Sequence, residues 1–209
     1  MTIIQATFQF ESELWDKGCK FIAGIDEVGM GCLAGPVVAA AVVLRSDTEI
    51  DLLRDSKKLS ESQREKTAEK IKTHAVAWAI GSASVEEITE LNIRGADFLA
   101  MKRALAQLNV VPDAVLSDGF RIPGLPIYNE AIIKGDQKSK TIAAASIVAK
   151  VFRDALMREY ETQFPGYGFA KHKGYGTKTH CEALSILGPC PIHRPTYEPV
   201  RIASMLKQS

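Results

Sequence analysis

The chain has 209 residues, 46% of them hydrophobic, with a mean hydropathy of -0.03 and a formal net charge of +1. That is apolar material for a sizeable core in one globular domain, and no apolar run reaches the ~18 residues that a bilayer crossing needs. The near-neutral total hides an asymmetry: residues 1–133 hold 14 bases against 19 acids, a net -5, and residues 134–180 hold 9 against 4, a net +5.

The opening stretch MTIIQATFQFESELWD has no basic patch before its apolar residues and soon turns acidic. It reads as no signal peptide, and the protein is expected in the cytoplasm. Residues 21–27 and 37–44 (VVAAAVVL) predict neighbouring strands joined by a glycine-rich turn, with Asp26 and Glu27 at the end of the first. Ser60 followed by Gln63 forms a capping-box pattern that starts a helix running to about Lys72. Residues 75–83 predict a third strand, and Ser84 ahead of Glu86 and Glu87 caps a short helix. A longer helix follows, with Phe98, Met101, Leu105 and Leu108 at core spacing and Pro112 as its end. AVLSDG predicts a short buried strand that delivers Asp118 to its end, and IYNEAIIK predicts another leading into GDQKSK.

The clearest helix covers about residues 140–160. Val148, Val151, Phe152, Ala155 and Leu156 make its apolar stripe, with Lys150, Arg153 and Arg158 off it. The glycine-rich, basic and aromatic segment GYGFAKHKGYGTKTH predicts an ordered binding loop. From Thr177 a last helix runs to Gly188-Pro189. The pattern amounts to one mixed α/β domain with a helical C-terminal portion.

Four acids fall at or just after strand ends: Asp26, Glu27, Asp118 and Asp136. Hard divalent ions such as Mg²⁺ or Mn²⁺ prefer oxygen ligands, and a pair of them ~3.5–4 Å apart can activate water against a phosphodiester. The competing reading makes these acids caps, turn residues or surface charges, and a lone Asp in a DG turn such as Asp118 suits that well. It suits Asp26-Glu27 poorly, because Gly29, Gly31, Gly35 and Pro36 follow at once. The chain has no GxSxG, HExxH or Walker lysine motif. Cys19, Cys32, Cys181 and Cys190 are scattered without a CxxC pair, so free thiols are expected. His172, His180 and His193 lack metal-ligand spacing, and His74 at a helix end reads as structural.

Lys171, Lys173 and Lys178 interleave with Tyr167, Phe169 and Tyr175, a mixture suited to neutralising phosphates while stacking on a sugar or base. A tyrosine hydroxyl can also sense a ribose 2′-OH. Lys57 and Lys58, with Lys134, Lys138 and Lys140, extend the possible phosphate track.

GIDEVGMGCLAGPVVAAAVVL, DSKKLS, VLSDG, KGDQKSKTIAAASIVAKVFRD, FAKHKGYGT and PIHRPTYEPV occur in this order between about residues 20 and 200. Together they resemble the bacterial type 2 ribonuclease H family, RNase HII. The resemblance implies a ribonuclease H-like fold, a mixed β-sheet flanked by helices. It implies a single catalytic domain over 1–209, with a core at about 20–160 and a C-terminal loop and helical extension at about 161–209. It also implies an endonuclease that cuts RNA paired to DNA and incises at single ribonucleotides embedded in duplex DNA, leaving 5′-phosphate and 3′-hydroxyl ends.

By motif, Asp26, Glu27 and Asp118 resemble the principal metal ligands and Asp136 the fourth catalytic carboxylate, holding Mg²⁺ or Mn²⁺, two ions during catalysis. Tyr175 resembles the tyrosine that detects the 2′-OH. Gly29 and Gly31 match glycines whose backbone approaches the ribonucleotide. Ser56 and Lys57 of the DSK block, with Lys173, are expected on the substrate. The family pattern reads Gly-Arg-Gly where this chain has Met30. The alternative is therefore a hybrid-binding module with impaired turnover, although four retained acids argue for an enzyme. The type 3 relative usually carries an extra N-terminal domain, for which the ~20 residues before the first strand leave no room. A monomer with no membrane partner is expected.

Overall fold

A computed structural model of the chain describes residues 6–51, 53 and 59–206. Five strands form one mixed sheet: β1 (Ile22–Val28), β2 (Val37–Val43), β3 (Ala77–Ala83), β4 (Ala114–Asp118) and β5 (Tyr128–Ile132), in the order β3-β2-β1-β4-β5. β1 runs antiparallel to β2, with Ala23 opposite Val43 and Val28 opposite Val38, while β4 lies parallel to both β1 and β5. Every residue of β2 is buried, which explains why its sequence is an unbroken apolar run.

The helices are α1 (Gln9–Trp15), α2 (Glu61–His74), α3 (Val85–Ala106), α4 (Lys140–Gln163), α5 (Phe169–His172), α6 (Lys178–Leu187) and α7 (Glu198–Leu206). None of the described helices is long and apolar enough to cross a membrane. α2 opens on the expected capping box, the Ser60 side chain accepting the Gln63 N–H and the Gln63 side chain accepting the Ser60 N–H. Ser84 and Glu87 make the same exchange at the start of α3. The predicted short and long helices both form within the span α3, separated at Asn92, whose backbone is non-helical (φ 59°, ψ 170°) and whose Oδ1 accepts the N–H groups of Arg94 and Gly95 and so caps the second.

Three readings of the sequence need correction. α3 ends at Ala106, so Leu108 lies beyond it, and Met101 is the one fully buried member of its expected core stripe. α6 is not the last helix, because α7 follows with Pro199 in its first turn, where a missing N–H costs nothing. α1, unanticipated, has no side-chain hydrogen bond at its N-cap Phe8 and so carried no start signal.

Close packing divides the chain into two units. The first comprises residues 1–28, 38–82 and 98–151. It holds the sheet, with Ala40, Val42, Leu44, Ile71, Ala145 and Val148 in one core cluster and Leu14, Ile22, Leu116, Ile132 and Ile142 in a second. The second unit comprises residues 29–37, 83–97 and 152–209. It thus draws two early segments into the packing of the C-terminal portion. Ala34, Met157, Tyr167 and Phe169 form one of its cores, and Leu33, Leu184, Val200 and Ala203 the other.

Candidate active site

In the first unit the parallel register sets Ile25 opposite Ser117, so the next residues, Asp26 and Asp118, come level at the carboxyl ends of neighbouring strands. This is the edge where ligands gather in open α/β sheets. After β5 the chain turns through Lys134, in the left-handed region at φ 57°, into a single 3-10 turn, Gly135–Gln137, that carries Asp136. The Gly135 N–H donates to Asp118 Oδ1 at 2.6 Å, which ties that turn to Asp118. The Glu27 N–H donates to Asp26 Oδ1 at 2.8 Å. The structure therefore brings Asp26, Asp118 and the turn carrying Asp136 to one sheet edge, with Glu27 adjoining Asp26 in β1.

Asp26 is 5% exposed and Asp136 4%. Burial, and then the charges of Glu27 and Asp118, raise the Asp26 carboxyl well above the usual carboxylate range; a hydrogen bond with Ser146 of α4 opposes this, and Asp136 adds to it. Ser146 is the residue that the sequence reading missed here. Its signal is a lone hydroxyl inside the buried run AAASIVA. Buried like charges are costly unless a cation neutralises them. The donors are all oxygen, which suits a hard divalent ion. Among the described residues no three acidic, histidine or cysteine side chains close a ready-made cage, so an ion here would complete its shell with water and phosphate oxygens.

In the second unit two guanidinium groups, both 0% exposed, hold the segment that follows the acids in sequence. Arg194 donates to the carbonyls of Gly29 (2.6 Å), Met30 (2.9 Å) and Gly35 (2.9 Å). Arg153 donates to those of Pro36 (3.0 Å), Ala34 (3.0 Å) and Lys173 (2.8 Å). The Tyr197 hydroxyl donates a second hydrogen bond to the Met30 carbonyl. Burial pulls the Arg194 pKa down from its ordinary value, opposed by Tyr197.

Gly29 has φ 98°, and a side chain there would collide with Arg153. Gly31 is different: it is exposed, and an added Cβ would meet nothing within 4 Å. Among the described residues no contact requires glycine there.

The binding loop differs from expectation. Tyr167 and Phe169 are buried and stacked at 5.2 Å, and so are core residues with no face for a base. Lys173 is 9% exposed and its ammonium donates to the Ala170 carbonyl, which withdraws it from the open phosphate donors. Arg153 was expected off the apolar stripe of α4 and is instead fully buried, while Phe152 is exposed. Tyr175 remains 40% exposed and pairs with Cys32 across an isolated antiparallel bridge. Ser56 and Lys57, like Asp55 and Lys58, lie outside the described residues.

Comparison with known proteins gives one answer. The family model described as ribonuclease HII matches residues 23–200. Ribonuclease HII of Caldanaerobacter subterraneus subsp. tengcongensis is 52% identical over 188 residues, covering 90% of this chain and 78% of that protein. The enzyme of the same name from Pediococcus pentosaceus is 53% identical over 196 residues, covering 94% and 76%. The crystal structure of ribonuclease H2 from Pyrococcus horikoshii superposes with a TM-score of 0.75 at 24% identity, over 91% of this chain and all of that one, and so shares its fold. With strand-end acids on a mixed sheet and a match over most of its length, the chain belongs to the ribonuclease HII family and is a ribonuclease H endonuclease.

Proposed function

We propose that the chain hydrolyses the RNA strand of RNA–DNA hybrids and incises DNA duplexes at single embedded ribonucleotides, leaving 5′-phosphate and 3′-hydroxyl ends. The observation that carries this reading is the meeting of Asp26, Asp118 and Asp136 at one sheet edge, with Asp26 buried among like charges. Asp26, Glu27, Asp118 and Asp136 would hold Mg²⁺ or Mn²⁺, two ions in the working state. When bound, these ions supply an activated water and a counter-charge for the departing oxygen.

The remaining roles fall to the chain itself. Asp118, fixed by the Gly135 N–H, keeps one carboxylate oxygen in place before substrate arrives. Fixed placement of charge is where such sites gain most of their rate. The peptide groups from Gly29 to Gly31, fixed from behind by Arg194, present a rigid backbone face to the sugar-phosphate chain. Tyr175 contacts the ribose 2′-OH, the group that separates RNA from DNA at one position.

Cleavage of a duplex carrying one ribonucleotide tests the reading, with all-DNA duplex and single-stranded RNA alongside, each in Mg²⁺, Mn²⁺ or EDTA. The expected result is metal-dependent incision only beside the ribonucleotide, with 5′-phosphate and 3′-hydroxyl ends. Cutting of all-DNA duplex, or incision undiminished in EDTA, would overturn it.

A further inference from the structure

Three of the four histidines, which sequence spacing leaves without a role, converge in the second unit around Phe169. The His172 and His180 rings stack at 4.2 Å with planes 14° apart, and Phe169 stands edge-on to both. His180 is 0% exposed and His193 3%.

Their hydrogen bonds assign the protons. His180 Nδ1 lies 2.9 Å from the Tyr175 carbonyl oxygen, which only accepts, so Nδ1 carries the proton. In a neutral ring Nε2 is then an acceptor, and it lies 3.1 Å from His193 Nε2, which must donate. That leaves His193 Nδ1 bare, and it accepts the Cys190 N–H at 2.9 Å with Cys190 Sγ at 3.1 Å. His172 Nε2 donates to the Tyr167 carbonyl at 2.8 Å, and its Nδ1 accepts the Gly174 N–H at 3.2 Å. All these bonds agree on one set of tautomers. A further proton on any of the three rings would set N–H against N–H.

The chain held this way is the one that presents Tyr175. His172 takes the N–H of Gly174 and His180 the carbonyl of Tyr175, so the tyrosine is gripped on both sides. Outside support matters there because Lys173 (φ 52°), a non-glycine residue, is held in the left-handed region directly before Gly174. We propose that His172, His180 and His193 are positioning residues for Tyr175, a relay of neutral imidazoles with fixed tautomers that sets the backbone of the tyrosine and so its discrimination of ribose. The proposal rests on the reading of Tyr175 as the ribose contact.

Long-range ¹H–¹⁵N spectra of the ¹⁵N-labelled protein at neutral pH test the relay directly, since protonated and bare imidazole nitrogens have well-separated shifts. His180 is expected as the Nδ1–H tautomer, and His172 and His193 as Nε2–H. Averaged tautomers at His180 or His193 would overturn the relay.

A double-mutant cycle tests its purpose on the single-ribonucleotide duplex. His180→Ala is expected to lower kcat/KM about tenfold. His180→Asn, whose amide can still donate to the Tyr175 carbonyl, should recover most of that. Combined with Tyr175→Phe, His180→Ala should add almost nothing. Full additivity with an impaired Tyr175→Phe overturns the positioning role alone. Undiminished cleavage by Tyr175→Phe overturns the ribose reading, and this proposal with it.

Discussion

Asp26 is the residue where stability and function conflict most directly. Burial, Glu27, Asp118 and Asp136 all oppose its charge, so without a cation its ionised form is a local liability. Asp26→Asn keeps an oxygen for the Glu27 N–H and removes the repulsion. It is expected to raise stability in EDTA by on the order of 1 kcal/mol while lowering cleavage by roughly 100-fold or more. Thermal melts with and without metal check this, since Mg²⁺ or Mn²⁺ should raise the wild-type midpoint far more than that of the variant.

Met30 supplies a second test. Its carbonyl is anchored by Arg194 and Tyr197 whatever its side chain, so Met30→Arg should leave the loop intact and add a donor that the thioether lacks. A gain of about tenfold in kcat/KM on the single-ribonucleotide duplex is expected, the scale of one hydrogen bond to a charged group. No gain would remove Met30 as an explanation for any weak activity. The acids were legible in sequence because local cues, a strand end and a glycine turn, frame each of them. Arg153 and Arg194 were not, because their acceptors are backbone carbonyls, most of them more than a hundred residues away. No pattern along a helix face reports such partners.

Among the elements, α1 shows how a segment without sequence signal acquires its place. Glu11 is fully buried, and its Oε1 accepts from the Ser139 hydroxyl, the Thr141 N–H and the Thr141 hydroxyl at 2.7–2.9 Å. Thr7 pairs with Ser139 beside it, exchanging backbone bonds with Lys138 and Lys140. The N-terminal segment thereby caps α4 directly after the Asp136 turn. Oε2 of Glu11 finds no hydrogen-bond partner among the described residues. Glu11→Ala removes the shared acceptor of three buried donors, of which one hydroxyl can still turn to the other at 3.1 Å, and a loss of about 2–3 kcal/mol in urea unfolding is expected. Glu11→Gln preserves Oε1 and removes a buried charge, so it should cost less than about 1 kcal/mol. Equal losses in the two variants would mean that the negative charge, rather than the acceptor, holds the segment. The sheet, α2 and α4 were readable from periodicity and the capping box. α1 was not, because it is defined by what it caps more than by its own seven residues.

For the molecule as a whole, the buried groups pull the pH dependence of stability in opposite directions. Desolvation, then the neighbouring His180, lowers the His193 pKa from 6.5 to about 4. Between these values the unfolded chain binds a proton that the folded protein refuses, so this histidine makes stability fall as pH drops from about 6.5 to about 4. His180 is shifted the same way, mainly by burial. Asp26 has the opposite sign: its raised pKa means that the folded state takes up a proton first, and acid relieves its repulsion. A single melt curve against pH therefore mixes the two effects. The difference between wild type and His193→Gln, both metal-free, isolates the imidazole, because Asp26 is common to both. The wild type should lose about 2–3 kcal/mol more than the variant between pH 7 and pH 4.5, a range that spans most of the His193 shift. Parallel curves over that range would mean that His193 accepts its proton in the folded state as readily as in the unfolded chain, and that the neutral pairing with His180 is not what holds it.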